Sequence, residues 1–187
     1  MAGLLEIDRK IFLFVNGLGD PRLDWALGFA THFGQPVILG VLLLAGVFFW
    51  DRRHWRIRGA FFAVNLLMLE AATQLFKGMV MRPRPFEAFP EMTVRVLFDL
   101  PQSASFPSGH AAASFAVALL LVRVYGKKLR IFYLAAFWIA LSRIYVGVHY
   151  PSDVAAGALL GLFGADILWR LTGRFFKLRA SRLTLEP

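Results

Sequence analysis

Cysteine is absent from all 187 residues. That excludes disulfide bonds, zinc–thiolate centres and thiol catalysis, and it leaves the redox compartment open. Acidic residues are scarce too, 12 against 21 lysines and arginines, for a net charge of +9. A basic excess of this size raises nucleic acid as a partner. The basic residues, however, fall in small groups at the ends of apolar runs and do not cover a polar face, and membrane topology explains that placement more simply. A cleavable signal peptide is not expected either: Glu6, Asp8, Arg9 and Lys10 interrupt the first apolar pattern, and no small-residue cleavage site follows an uninterrupted apolar core. What the chain has in quantity is apolar surface. Its 58% apolar content and mean hydropathy of +0.59 exceed the roughly 45–50% apolar usage of soluble domains and mark a single-domain polytopic membrane protein.

The expected fold is all-α, a polytopic membrane helix bundle. Apolar runs at 36–50, 59–76, 109–125, 131–147 and 154–171 approach the roughly 17–25 residues that a bilayer crossing takes. Ahead of them, Leu4, Leu5, Ile7, Ile11, Phe12, Phe14 and Val15 alternate with charges at helical spacing, which fits a helix lying in the interface. A second such helix falls at 22–34; if that stretch merges with the run after Pro36 and crosses, the count is six spans and not five. The division is therefore an amphipathic interfacial region (1–35), a transmembrane core (36–172) and a basic cytoplasmic tail (173–187). Orientation follows the arginines and lysines. Arg52, Arg53, Arg56 and Arg58, then Arg123, Lys127, Lys128 and Arg130, then Arg170, Arg174, Lys177, Arg179 and Arg182 share one side by parity, assigned to the cytoplasm. Gly157 and Gly161 form a small-xxx-small pair suited to helix contact.

Three segments between the apolar runs, KGMVMRPRP (77–85), FPSGH (106–110) and SRIYVGVHYPSD (142–153), all open on the opposite, extracytoplasmic side. A phosphate group presents oxygens whose charge must be met by fixed donors. Lys77 ends one span, and Arg82 and Arg84 follow in a loop stiffened by Pro83 and Pro85, which can turn a cationic arm over a pocket; ordinary snorkelling at a span end is the plainer alternative. Ser108 reads as the N-cap of the next span, with Gly109 and His110 in its first turn, so that free backbone N–H groups and the helix dipole face an anion. A capped helix with an incidental histidine is the competing reading. In the third segment Asp153 follows His149 by four residues, and a carboxylate there fixes the imidazole tautomer and leaves the other ring nitrogen to attack. Asp153 also suits the positive end of a helix.

Taken together, the lysine followed after six residues by Arg-Pro, then PSGH, then Ser-Arg with five residues to His and three more to Asp, resembles the tripartite signature of the type 2 phosphatidic acid phosphatase superfamily. The resemblance spans residues 77–153 and has no departure. It implies an all-helical core and a reaction without metal or other cofactor. On that basis His149 is the nucleophile that forms a phosphohistidine, Asp153 orients it, and His110 protonates the leaving group, while Lys77, Arg84, Ser108, Gly109 and Arg143 hold the phosphate. Arg82 is not a signature position.

Outside the motifs, Glu70 lies seven residues before Lys77 with Gln74 between them, and is expected to orient Lys77 or bridge spans. Asn65 and Asp166 read as interhelical hydrogen bonders or end-of-span residues. The expected function is an integral lipid phosphatase in a bacterial cytoplasmic membrane, with undecaprenyl diphosphate the preferred substrate. Phosphatidylglycerol phosphate, phosphatidic acid and lipid A 1-phosphate are the alternatives, and the loop from Phe86 to Ser105, with Glu87, Glu91, Arg95 and Asp99, is the place for head-group selectivity. A lipid phosphotransferase uses the same residues; a haloperoxidase fits a chain this apolar poorly. A histidine-using transporter or a haem-binding span protein is the non-enzyme alternative. The partners expected are the lipid substrate and the bilayer, not nucleic acid.

Overall fold

The computed structural model describes residues 2–89, 94–97 and 100–176. These form α1 (Ala2–Asn16), α2 (Pro21–Phe33), α3 (Pro36–Trp50), α4 (Trp55–Val80), the single turn α5 (Pro85–Ala88), α6 (Gly109–Tyr125), α7 (Phe132–Tyr145) and α8 (Pro151–Thr172), with a 3-10 turn over Lys127–Ile131 between α6 and α7. No strand occurs among the described residues. By length and composition α4 and α8 can each cross a membrane, and α2 with α3, bent by 71° at their junction, passes as a third crossing when taken as one. α6, at 17 residues, and α7, at 14, are shorter apolar helices packed beside them. The fold is thus the expected all-helical bundle of an integral membrane protein, while length and composition alone single out two or three crossings, fewer than five or six.

The outer surface is apolar because its solvent is lipid: Leu67, Phe163, Ile167 and Leu171 are each more than half exposed. With no water to escape inside the bilayer, helices associate through close packing and hydrogen bonds. Gly157 and Gly161 show how. A Cβ on Gly157 would collide with the Ser108 carbonyl, and one on Gly161 with the Ala112 carbonyl, so the absence of side chains lets α8 rest on the backbone of α6. Polar groups add to this. Asn65 of α4 donates to the Phe61 carbonyl and reaches Thr172 of α8, and Asp166 of α8 pairs with Arg123 of α6 and with Arg170.

Helix limits follow local chemistry where a local signal exists. Pro36 and Pro151 sit at first-turn positions, where no backbone donor is lost. α4 is longer than the apolar run at 59–76. It begins at Trp55, beside the buried Arg58–Asp51 pair, and ends where Met81 takes the left-handed conformation, φ 47°, and donates to the Lys77 carbonyl. The amino-terminal segment is helical as expected, and Phe12, Asp8 and Asn16 are buried in the bundle while Leu5, Ile7 and Phe14 face outward. Of the tail, residues 177–187 lie outside the described residues.

Candidate active site

All three motif segments meet at one end of the bundle. α4 delivers Lys77 and hands over to the loop bearing Arg82 and Arg84; α6 begins there with Ser108, Gly109 and His110; α7 ends there at Arg143, and the turn into α8 carries His149 and then Asp153. Two backbone features make the convergence possible. Gly147 has φ +85°, which few L-residues adopt, and a Cβ there would strike the Arg95 carbonyl. Through that turn His149 comes under the Arg84 side chain. The α6–α8 approach at Gly157 does the rest, and Ser108 N–H donates to the Asp153 carbonyl at 3.0 Å.

His149 is 2% exposed. Its Nε2 lies 3.3 Å from Arg84 Nη1, and its Nδ1 lies 3.5 Å from Asp153 Oδ2, a long contact for a hydrogen bond. Burial holds the imidazole well below its ordinary value, at about 3; Asp153 opposes the shift, and the Arg143 and Arg84 guanidinium groups reinforce it. The ring is therefore neutral near pH 7, with a lone pair available on the nitrogen that faces Arg84. Asp153 is fully buried and fixed by Arg82 at 2.6 Å, the Ser105 hydroxyl at 2.5 Å and the Tyr150 N–H at 2.9 Å. Ser108 caps α6 by accepting from Ala111 N–H. His110, two residues on in the first turn of α6, lies in the field of Arg143, His149, Arg84 and Lys77.

Among the described residues, three buried cations have only neutral acceptors. Lys77 donates to the Ala104 carbonyl; Arg84 donates to the Ser103 carbonyl at 2.7 Å, the Val148 carbonyl at 2.8 Å and the Ser103 hydroxyl at 3.1 Å; Arg143 donates to the Thr31 hydroxyl. Among the described residues no carboxylate stands within ion-pair distance of any of the three. Arg82 behaves differently from the arm over the pocket that the sequence led us to expect. It turns away to bridge Asp153 and Asp8 and lies 3.9 Å over the Tyr150 ring, because two carboxylates there satisfy its charge. Glu70 accepts from Gln74 at 2.6 Å and acts on Lys77 only through its charge.

The loop expected to read head groups is partly tied down. Glu87 accepts from Arg84 N–H, and Arg95 is held by Asn16 and by Asp24 at 2.7 Å. Glu91 and Asp99 lie outside the described residues. Sequence reasoning missed Asp8, Thr31, Ser105 and the Ser103 and Ala104 carbonyls. Only Asp8 carried a signal, an acid four residues before Phe12 on what proves to be the buried stripe of α1.

Comparison with known proteins fixes the family. Residues 58–177 match the model of the PAP2 superfamily. The chain belongs to that superfamily. It is 42% identical over 135 residues, 70% of each chain, to decaprenylphosphoryl-5-phosphoribose phosphatase of Mycobacterium tuberculosis. It is 32% identical to lipid A 4'-phosphatase of Bacteroides thetaiotaomicron, over 91% of this chain and 81% of that one, and 25% identical to undecaprenyl-diphosphatase BcrC of Bacillus subtilis, over 97% of both. The crystal structure of Aquifex aeolicus LpxE superposes with a TM-score of 0.66 at 30% identity, covering 86% of this chain and 93% of that one. As a PAP2 protein with these relatives, the chain is a phosphoric-ester hydrolase acting on lipid substrates.

Proposed function

We propose that this PAP2 phosphatase hydrolyses a polyprenyl-linked phosphate or diphosphate, with undecaprenyl diphosphate as the leading substrate, through a phosphohistidine on His149. The observation that carries the reading is the set of three buried cations, Lys77, Arg84 and Arg143, held by neutral acceptors, with Arg84 on the Nε2 side of a neutral His149. An anion is the ligand such a site takes at least desolvation cost, since its oxygens replace the carbonyls on charged donors.

In the first step the Nε2 lone pair forms a bond to phosphorus as the bond from phosphorus to the leaving oxygen breaks, and His110, entering as the imidazolium with the anionic substrate bound, gives that oxygen its proton. Lys77, Arg84 and Arg143, with the Ser108 hydroxyl and the Gly109 N–H, meet the equatorial oxygens. Nδ1–H stays on the ring and faces Asp153, whose carboxylate supports the positive charge that phosphorylation gives the imidazole. Water then attacks phosphorus, the N–P bond breaks, and His110 takes the proton from that water. No step needs a metal.

The polyprenyl assignment rests on two relatives named for decaprenyl and undecaprenyl carriers, and lipid A is the alternative from the third. We place the site on the extracytoplasmic face of a bacterial cytoplasmic membrane, with α3, α4, α6, α7 and α8 as five crossings and the outer face of α1 in the interface. The arginine-rich links at 52–58 and 123–130 support that orientation.

Phosphate release in detergent from undecaprenyl diphosphate, decaprenylphosphoryl-5-phosphoribose, phosphatidylglycerol phosphate, phosphatidic acid and lipid A tests both parts. Undecaprenyl diphosphate is expected to give the highest kcat/KM; a higher value on lipid A would replace the polyprenyl reading. His149→Ala is expected to lose about 10³-fold or more in kcat, as removal of a nucleophile does, and full release by that variant would remove the phosphohistidine. Activity is expected to persist in excess chelator.

A further inference from the structure

Asp8 belongs to no motif, yet it is 7% exposed in a helix that otherwise buries Phe12 against the ring of Tyr150, 5.7 Å between centroids. Its Oδ1 accepts from Ser152 N–H at 2.8 Å, and its Oδ2 from the Ser152 hydroxyl at 2.5 Å and from Arg82 Nη2 at 2.7 Å. Arg82 in turn places Nη1 2.6 Å from Asp153 Oδ1 and 2.7 Å from the Ser152 hydroxyl. One guanidinium therefore serves two buried carboxylates, in a fork geometry that lysine cannot reproduce.

The charge count has a chemical consequence. Were Arg82 the private partner of Asp153, the carboxylate beside His149 would be neutralised and would give little support to a positive imidazole. Shared with Asp8, the same guanidinium leaves the trio with one net negative charge, close to where His149 becomes positive. Asp8 also receives the free N–H and hydroxyl of Ser152 in the first turn of α8, which fixes the helix start that carries Asp153.

We infer that Asp8, acting through Arg82 and Ser152, is a positioning residue by which the amino-terminal helix α1 sets the placement and effective charge of Asp153 for the reaction at His149. The inference rests on the phosphohistidine reading.

Asp8→Asn keeps the shape and removes the charge. On the lipid substrate with the highest turnover, it is expected to lower kcat about tenfold, within the range contributed by partners one step removed from a reacting group. KM and the Ki for inorganic phosphate should stay within about twofold, because Asp8 does not touch the cations that hold phosphate. Arg82→Lys, which keeps a charge but loses the bridge, is expected to show the same split and carries the test if Asp8→Asn does not elute as a folded species. Because Asp8, Arg82 and Ser152 form one network, the loss in the double variant Asp8→Asn/Arg82→Lys should be well short of the product of the two single losses, a non-additivity expected of coupled groups. A merely structural role would weaken phosphate inhibition as well and let the two losses multiply. Wild-type kcat in Asp8→Asn, or multiplying losses, overturns the proposal. His149→Ala in the same assay separates the two failures: if it is inactive while Asp8→Asn is normal, only the role of Asp8 falls; if it is active, the reading beneath it falls.

Discussion

The two ends of the bundle are built from the same helices and both carry cations, but they partner them in opposite ways. At the end away from the motifs, Arg58 meets Asp51 at 2.5 Å, with His54 and Tyr125 on the same carboxylate, and Arg123 and Arg170 share Asp166. At the motif end, Lys77, Arg84 and Arg143 meet carbonyls and two hydroxyls, and the carboxylate in reach of His149, Asp153, is given to Arg82. A buried ion pair is closed; a buried cation on neutral acceptors keeps most of its field and can exchange its partners for an anion. A cavity of about 670 Å³ lined by Arg123, Tyr125, Lys127, Arg130 and Tyr133 opens at the first end and contains none of the signature residues.

The sharpest way to break this contrast is to remove one arginine from each end. Arg143→Met is expected to cut phosphate release about 10²–10³-fold, as loss of one donor to a developing oxyanion does, with little change in melting temperature. Arg58→Met takes from the largely buried Asp51 its charged partner and leaves it only His54 and Tyr125, which costs about 3 kcal/mol and lowers the melting temperature by on the order of 10 °C. The folded fraction should keep its specific activity. Equal losses of activity in the two variants would show that both ends serve catalysis and would dissolve the distinction.

A smaller effect comes from converting one end into the other. Thr31→Asp gives Arg143 a carboxylate in place of the hydroxyl it now uses, closing one of the three cations. KM for the lipid phosphate should rise about tenfold, equivalent to roughly 1.4 kcal/mol of binding, and inhibition by inorganic phosphate should weaken by a similar factor. An unchanged phosphate Ki would mean that Arg143 does not face the anion.

How much of this was legible depends on whether a residue's role has a local cause. α3 and α6 begin where Pro36 and Ser108 say they should, because a proline or a cap acts within one turn. The signature residues were legible as a set because their spacing is itself a pattern. α4 outran its apolar run because the Arg58–Asp51 pair and the left-handed Met81, which set its ends, leave no mark on hydropathy. Thr31 and Ser105 were illegible for a related reason: each is a single hydroxyl whose meaning comes from a partner 112 or 48 residues away. The Ala104 carbonyl has no side-chain signature at all. Arg82 was visible but misplaced, since nothing in the loop shows that Asp8 of α1 would draw it away from the pocket.

The least effect is expected at the closed end's more exposed pair, and that makes it a useful control. Asp166 accepts from Arg123 of α6 and, at 2.8 Å, from Arg170 of its own helix, but Arg170 is 68% exposed and Arg123 36%. Solvent screening and the entropy of two long side chains leave such a pair worth about 0.2–1 kcal/mol. Asp166→Asn should therefore lower the melting temperature by about 1–4 °C and leave kcat, KM and the phosphate Ki at wild-type values. A larger thermal loss would mean that the α6–α8 contact depends on this pair as well as on Gly157 and Gly161. A change in Ki would mean that charge at this end is felt across the bilayer, and the neutral acceptors at the motif end would then no longer account for anion binding by themselves.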